Sequence, residues 1–468
     1  MKVAVVGAGP AGVRAVERLV AAGLSPVWID EAADGGGRIY QRPPLPLKRD
    51  PKVLYGFEAA KASALHAALD RLKPLADWRP ETLVWHIRPD ARELHTLRDG
   101  ARQVVGYDAV ILCTGAMDRV VPVAGWTTAG VTTLGAAQIA LKAQGCAIGR
   151  RVAFIGSGPL LWLVAYQYAK AGADIACVLD TTPFSTKLAA APALLRDGAT
   201  FAKGLWYVAW LRARGIPIAE GVTPLAIEAG GEGVAAIRWR DRHGREQRAD
   251  CDAIGMGWGL KPEAQLADLA DVPFRYDEIQ ANWVPERDSL GRTAVRGIYL
   301  AGDGAGIGGA AVAEIAGAAA ALAVLADLGQ PVDHGDVMRL ELALQRQARF
   351  RQALERAFPF PVHLARQVPD ETILCRCEGL TAGELRAVAK ARGGTGQTGD
   401  LNRAKAFTRT GMGRCQGRVC GPVAAQIFAA EAHCDLPAIG RLRGQPPVKP
   451  FAMGAARAAA GTDTVATR

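Results

Sequence analysis

Val3-Ala-Val-Val-Gly-Ala-Gly-Pro-Ala-Gly12 sets the architecture of this chain. A short apolar run, Val3–Val6, leads straight into Gly7, Gly9 and Gly12, and Pro10 and Ala11 open a helix that the spacing carries to about Ala22. Strand, glycine turn and helix in that order begin a βαβ unit that binds a dinucleotide. The glycines permit the tight turn and let a pyrophosphate approach the helix N-terminus, where unpaired N–H groups hold negative charge. A second strand, Pro26–Ile29, ends at Asp30, close to the spacing of about 20 residues at which a carboxylate meets the ribose. Asp30 is the expected ribose partner, Glu31 the neighbouring candidate, and Gly37 and Arg38 in the loop that follows belong to the same site.

Beyond that start, the chain repeats the theme. After a Pro-rich crossover, Tyr107-Asp-Ala-Val-Ile-Leu-Cys-Thr-Gly115 reads as another buried strand ending in a turn, with Thr114 and Gly115 facing the nucleotide. Arg151-Val-Ala-Phe-Ile-Gly-Ser-Gly-Pro-Leu-Leu161 starts a second unit, which reaches an acidic strand end at Asp180. Gly297-Ile-Tyr-Leu-Ala-Gly-Asp-Gly-Ala-Gly306 then leads into an alanine-rich helix. In two-dinucleotide flavoproteins an aspartate placed like Asp303, after Gly302, hydrogen-bonds the flavin's ribityl chain or phosphate, and the next helix turns its positive end toward the isoalloxazine. With Cys-Thr-Gly115, this favours FAD over NAD at the first site. The second site keeps Gly156 and Gly158, but Leu161 stands where a small residue should let helix and strand close. It reads as vestigial or as holding another adenine nucleotide; Asp180 could hold a ribose, and NADH use is not expected.

The predicted fold is therefore α/β, two Rossmann-like dinucleotide-binding domains with the second inserted in the first, plus a small, mainly helical C-terminal domain. Residues 1–122 and 263–335 are the two parts of the FAD-binding domain, and 123–262 the second nucleotide domain. Residues 336–370 are an arginine-rich helical linker, 371–440 a cysteine module and 441–468 a tail. Thr381-Ala-Gly-Glu384 is a capping box that starts a helix which Gly393-Gly394 should stop, and a second helix runs from about Leu401 to Thr410.

Composition narrows the classes. Half of the 468 residues are apolar, which suits a core-forming chain of about three domains. The net charge of +10 comes mostly from arginines spread along the chain without a recognition motif, so nucleic-acid binding is not expected. The longest apolar run, Ala310 to Leu325, is alanine-rich and carries Glu314, so it reads as a buried helix and no integral membrane segment is expected. The glycine turn begins too early to leave room for a cleavable leader. Nine cysteines then argue for a reducing, cytoplasmic setting.

Four of those cysteines carry chemistry. Cys375 and Cys377 form a C-x-C pair, and Cys415 and Cys420 lie on Gly411-Met-Gly-Arg-Cys-Gln-Gly-Arg-Val-Cys-Gly421. Structural zinc usually pairs its thiolates at wider C-x₂₋₄-C spacing, whereas a [2Fe–2S] cluster accepts four thiolates in varied spacing. The cluster is the leading reading; zinc and free thiols stay open. Cys420 sits just ahead of a helix whose dipole would stabilise thiolate, and Arg403, Lys405, Arg409, Arg414 and Arg418 lie nearby. The seven histidines are dispersed and no acid/base constellation for a substrate is visible, so no catalytic residue is assigned.

Cys375-Arg-Cys-Glu378 and Gly399-Asp-Leu-Asn-Arg-Ala-Lys-Ala-Phe-Thr-Arg-Thr-Gly-Met-Gly-Arg-Cys-Gln-Gly-Arg-Val-Cys420 resemble the bacterioferritin-associated-ferredoxin-like [2Fe–2S] domain. With Gly125-Trp-Thr-Thr-Ala-Gly-Val-Thr-Thr-Leu-Gly-Ala-Ala-Gln138, Gly156-Ser-Gly-Pro-Leu-Leu161 and Gln445-Pro-Pro-Val-Lys-Pro450, the whole chain resembles the alpha-type subunits of opine oxidases, hydrogen cyanide synthases and D-hydroxyproline dehydrogenases. Two departures stand out: the closing C-x₄-C, where small ferredoxin-like modules have C-x₂-C, and Arg38, where relatives often have glutamine.

The resemblance implies a hetero-oligomer. A separate beta subunit, similar to D-amino-acid oxidases, would oxidise an amine or amino acid with its own FAD. This subunit would pass the electrons to a respiratory acceptor, in some relatives with an FMN at the subunit interface. Carried over, the glycine turn, Asp30 and Asp303 bind nucleotide, and Cys375, Cys377, Cys415 and Cys420 the cluster. The location implied is cytoplasmic or peripheral to the inner face of the membrane. Two alternatives remain: a self-sufficient NADH-dependent flavin oxidoreductase with a cluster outlet, and a non-catalytic cofactor-binding scaffold.

Overall fold

Strand Val3–Val6 is the middle strand of a five-stranded parallel sheet, ordered Ile298–Leu300, Ala109–Leu112, Val3–Val6, Val27–Ile29, Asp77–Arg79. The computed structural model describes residues 1–44, 47, 49–393 and 400–452. Successive side chains of a strand point to opposite faces, and here each face has its own cover. Val3 and Val5 join Val13, Val16 and Leu19 of helix Pro10–Ala21 in one core. Ala4 and Val6 join Val84, Ile87 and Leu94 of a three-stranded antiparallel sheet in another. That small sheet, Leu83–Arg88, Glu93–Arg98 and Ala101–Gly106, fills much of the stretch read as a Pro-rich crossover.

The fifth strand, Ile298–Leu300, pairs with Ala109–Leu112 only after an entire second unit has been built, so the second unit is an insertion. Its sheet is also parallel, ordered Ile218–Glu220, Asp174–Asp180, Arg151–Ser157, Ala253–Trp258, Val131–Thr133. The first unit then closes with helix Ala310–Asp327, laid along Pro10–Ala21. A side chain at Gly317 would come within 2.0 Å of the Ala11 carbonyl oxygen, so glycine there sets how near the two helices lie. Ala310–Asp327 is, among the described residues, the one helix long and apolar enough to cross a membrane, yet most of it is buried in this core.

Helix His334–Ala357 packs Phe350, Ala353 and Ala357 against Ala190 and Leu194 of the second unit. The cysteine module follows, with helices Ala382–Gly393, Leu401–Thr408 and Gly421–Glu431 and a short strand pair, Ile373–Cys375 with Leu380–Thr381. Its core is continuous with that of the second unit, and the Trp126 indole donates to the Ile373 carbonyl at 2.6 Å. The capping box closes as expected: Thr381 N–H reaches Glu384 Oε2 at 2.8 Å, and Glu384 N–H reaches Thr381 Oγ1 at 3.3 Å. Gly394, the expected end of that helix, and the tail beyond 452 lie outside the described residues. The second helix ends at Thr408, earlier than its pattern suggested, with Arg409 left-handed at φ 61. Thr408 Oγ1 donates to the Ala404 carbonyl and accepts from Thr410 N–H, drawing the backbone out of the helix.

Candidate flavin and cluster sites

The first site is built by three turns that touch. Gly7 has φ +109 with a Cβ position only 2.3 Å from the Cys113 carbonyl oxygen, and one at Gly12 would lie 1.9 Å from the Gly7 oxygen. No other residue fits either place. The Gly36 N–H donates to the Ala8 carbonyl at 2.7 Å, and Gly37 lies against Gly9 and Pro10. Gly302 lies against Ala11, which brings the Ala-Gly-Asp turn to the same helix N-terminus. Pro10 at the first helical position has its backbone angle fixed for that start.

Around these turns the carboxylates have separate tasks. Asp30 accepts the Ala8 N–H on Oδ2 and the Ala32 N–H on Oδ1 at 2.8 Å, so both its oxygens brace the turn. Burial pushes its carboxyl above the ordinary value, against those two amide donors. Glu31 points outward, paired with Arg38 at 3.2 Å and with Lys449 of the tail. Asp303 accepts the Gly308 and Gly309 N–H groups on Oδ1, each at 2.8 Å. Thr114 donates to the Glu263 carbonyl, and Gly115, at φ +75, has nothing within 4 Å of where a side chain would start. Unpaired helix N–H groups, glycines beside open space and flanking carboxylates suit a dinucleotide with a flavin end, and FAD fits the residues present.

The second site is built differently. A side chain at Gly156 would meet the Gly257 carbonyl oxygen at 1.7 Å, so that glycine serves strand packing. Gly158 caps helix Pro159–Lys170, and Leu161 is fully buried beneath it. Asp180 is 0% exposed; it accepts the Thr182 N–H at 2.8 Å and pairs with Lys187 at 2.9 Å. Lys187 also holds Glu220 at 2.6 Å, closing a carboxylate–ammonium–carboxylate bridge. Held in this way, Asp180 is closed off from solvent.

The four cysteines fall into two pairs. The thiols of Cys375 and Cys420 lie close enough to shift each other's proton affinity, and so do those of Cys377 and Cys415. The Cys420 thiol and the N–H groups of Gly411, Glu378 and Cys377 pull Cys375 down to about 5, making it the thiolate of its pair. The Cys415 N–H is aimed at Cys377 sulfur. Gly413 is required here, since its Cβ position lies 2.2 Å from Cys377 Cβ. All nine cysteines are free, and among the described residues no three Cys, His, Asp or Glu side chains converge on one point. One zinc ion would gather four sulfurs around a single centre, whereas a [2Fe–2S] cluster takes two per iron. Two thiol pairs with amide donors turned toward sulfur fit the cluster.

Two of the neighbouring cations are already engaged. Arg409 pairs with Glu378 at 2.7 Å, while Arg403 and Arg414 stay exposed. Arg418, between Cys415 and Cys420, is 9% exposed and grips Glu263 with two bonds, at 2.7 and 3.1 Å. Glu263 in turn donates its N–H to the Gly115 carbonyl at 2.9 Å and accepts Thr114 on its own carbonyl. One residue thus joins the cluster loop to the flavin-side turn. Glu263 carries no motif signal and Lys449 lies in the Pro-rich tail motif with no role attached; the contacts of both come to light only because the fold brings distant segments together.

Residues 1–323 match the family described as pyridine nucleotide-disulphide oxidoreductase, and residues 373–430 match the BFD-like [2Fe-2S] binding domain. The A subunit of opine oxidase from Rhizobium meliloti is 34% identical over 95% of this chain and 85% of that protein. The hydrogen cyanide synthase subunit HcnB of Pseudomonas aeruginosa is 31% identical over 96% of this chain and 97% of that protein. Among solved structures, L-proline dehydrogenase from P. horikoshii superposes with a TM-score of 0.71 at 20% identity, covering 97% of this chain and 78% of that one, which shows a shared fold. The cofactors that follow are FAD and a [2Fe–2S] cluster. The chain belongs to the pyridine nucleotide-disulphide oxidoreductase family, in the group that holds the opine oxidase A subunits and the hydrogen cyanide synthase subunit HcnB.

Proposed function

We propose that this chain is the electron-transferring subunit of a heteromeric amine or amino-acid dehydrogenase or oxidase. A separate D-amino-acid-oxidase-like beta chain would remove hydride from an opine, hydroxyproline or glycine-type donor. This subunit would pass the electrons to a respiratory acceptor from a cytoplasmic or membrane-peripheral position. Its relatives are named as subunits, which supports the need for a partner. FAD exchanges two-electron for one-electron chemistry, and the cluster carries one electron at a time.

The chain's own residues would act as holders and spacers. The Gly7–Gly12 turn, with Pro10 and Ala11, would present helix N–H groups to the pyrophosphate. Glu31, whose carboxylate faces outward between Arg38 and Lys449, would take the ribose, with Asp30 bracing the turn beside it. Asp303, Gly302, Thr114, Gly115 and Gly37 would line the flavin half, with Arg38 beside Glu31 at the ribose. Cys375 and Cys420 would hold one iron, Cys377 and Cys415 the other. The observation that carries this reading is the Arg418–Glu263–Thr114 junction, which ties the cluster loop to the flavin turn.

The enclosed Asp180–Lys187 pair favours this reading over a self-sufficient NADH oxidoreductase. The test is co-expression with a beta-type chain, followed by dye reduction with candidate amino acids and with NADH. Activity should appear with an amino acid and only when both chains are present. Rapid flavin bleaching by NADH in the isolated chain would overturn the proposal.

A further inference from the structure

The C-terminal segment lies beyond both matched families, which end at residues 323 and 430, yet it is fastened at three places. On the cluster loop, Gln416 donates to the Pro447 carbonyl, Arg418 to the Val448 carbonyl, and Gln445 N–H to Gln416 Oε1 at 3.1 Å. On the small antiparallel sheet, Val448 N–H donates to the Trp85 carbonyl at 2.9 Å and Phe451 meets the Trp85 ring edge-on at 5.6 Å. Val448 is itself 3% exposed in the core beside Val84, Ile87 and Leu266. At the first nucleotide turn, Lys449 Nζ pairs with Glu31.

The third contact is the informative one. Asp30 braces the turn from within, and Glu31 is the carboxylate beside it with an outward face. A glutamate between Arg38 and Lys449 has its side-chain rotamer set from two sides before any ligand arrives. A carboxylate already fixed in place loses less freedom when it binds a diol. The cation that fixes it also hangs on a strap whose other end is bonded to the loop carrying Cys415 and Cys420.

We infer that residues 445–450 are a wall of the first nucleotide site, and that Lys449 is a positioning residue that holds Glu31 for the adenosine ribose of FAD. The strap makes retention of FAD depend on the same segment that steadies the cluster loop. This rests on Glu31 facing the ribose, so the experiment separates the two statements.

The probe is FAD itself, titrated by fluorescence quenching into protein freed of flavin with its cluster intact, for wild type, Glu31→Gln, Lys449→Ala, Lys449→Arg and a chain ended after Gly444. Lys449→Ala should weaken FAD binding by about tenfold, the scale of one charge-assisted contact, with the cluster's EPR signal unchanged. Lys449→Arg should return binding to within about twofold, a rescue that loss of general stability would not show. The truncation should weaken FAD at least as much and also shorten cluster lifetime, since Gln416 and Arg418 lose their acceptors. Loss of FAD in Glu31→Gln with unchanged binding in Lys449→Ala would overturn the strap alone. Unchanged binding in both would overturn the ribose assignment with it.

Discussion

Removing the Arg418 guanidinium should loosen the cluster loop without unfolding the domains around it. The side chain is 9% exposed, makes two bonds to Glu263 and one to the Val448 carbonyl, and its partner Glu263 is 17% exposed. Breaking one side of a fully buried ion pair costs about 3–5 kcal/mol, because the other charge is left behind. Glu263 keeps some access to water, so about 2–3 kcal/mol is the better figure. With tenfold per 1.36 kcal/mol, that is a roughly 30- to 150-fold larger opening equilibrium. Hydrogen exchange of the amides from Gln416 to Gly421 in the holo protein reads it directly, because local opening sets their rate. Arg418→Ala and Glu263→Gln should each accelerate exchange there, and the double variant should add little to either. Exchange within about threefold of wild type in both single variants, or full additivity in the double, would show that the pair does not hold the loop.

Three further outcomes follow from particular contacts. Gly413→Ala places a methyl group 2.2 Å from Cys377 Cβ, so the purified variant should lose most of its iron and acid-labile sulfide while helix content by circular dichroism stays unchanged. Cys377→Ser should abolish the rhombic EPR signal after dithionite, whereas Cys146→Ser, at an exposed and remote thiol, should leave it intact. Burial lowers Lys142 from 10.5 to about 7, with its ammonium donating to the Ile39 carbonyl at 2.9 Å. The unfolded chain therefore keeps that proton over a pH range where the folded chain has released it. Stability should rise with pH across that window and be flat below it, and Lys142→Met should flatten the rise in melting curves taken from pH 7 to 10.

The parts of this molecule that were legible in its sequence are those where local backbone chemistry dictates the residue. Gly7 and Gly12 have no room for a side chain, and Thr381 with Glu384 satisfies a helix start from within four residues. The insertion of the second unit was legible because strand Ile298–Leu300 is buried, apolar and followed by a glycine turn. The small sheet over residues 83–106 was not, because its middle strand, Glu93–Arg98, sets two leucines three apart among charged and polar residues and is too short to stand out from a loop. The same limit applies to the site. Asp30 stands at the ribose position by spacing, and only the folded turn reveals that it also braces the N–H groups of Ala8 and Ala32. Lys187 on Asp180, Glu263 under Arg418 and Lys449 on Glu31 are long-range ion pairs, or short ones across a loop, and no periodicity announces them.

The proposed function requires that electrons move between flavin and cluster within this one chain. Anaerobic photoreduction of the purified holo protein, followed by flavin absorbance and by EPR on frozen samples, puts that to the test. A rhombic signal approaching one spin per chain should grow as the flavin is reduced, on protein holding two irons and no zinc. A fully reduced flavin beside an EPR-silent protein, or zinc in place of iron, would rule the transfer out.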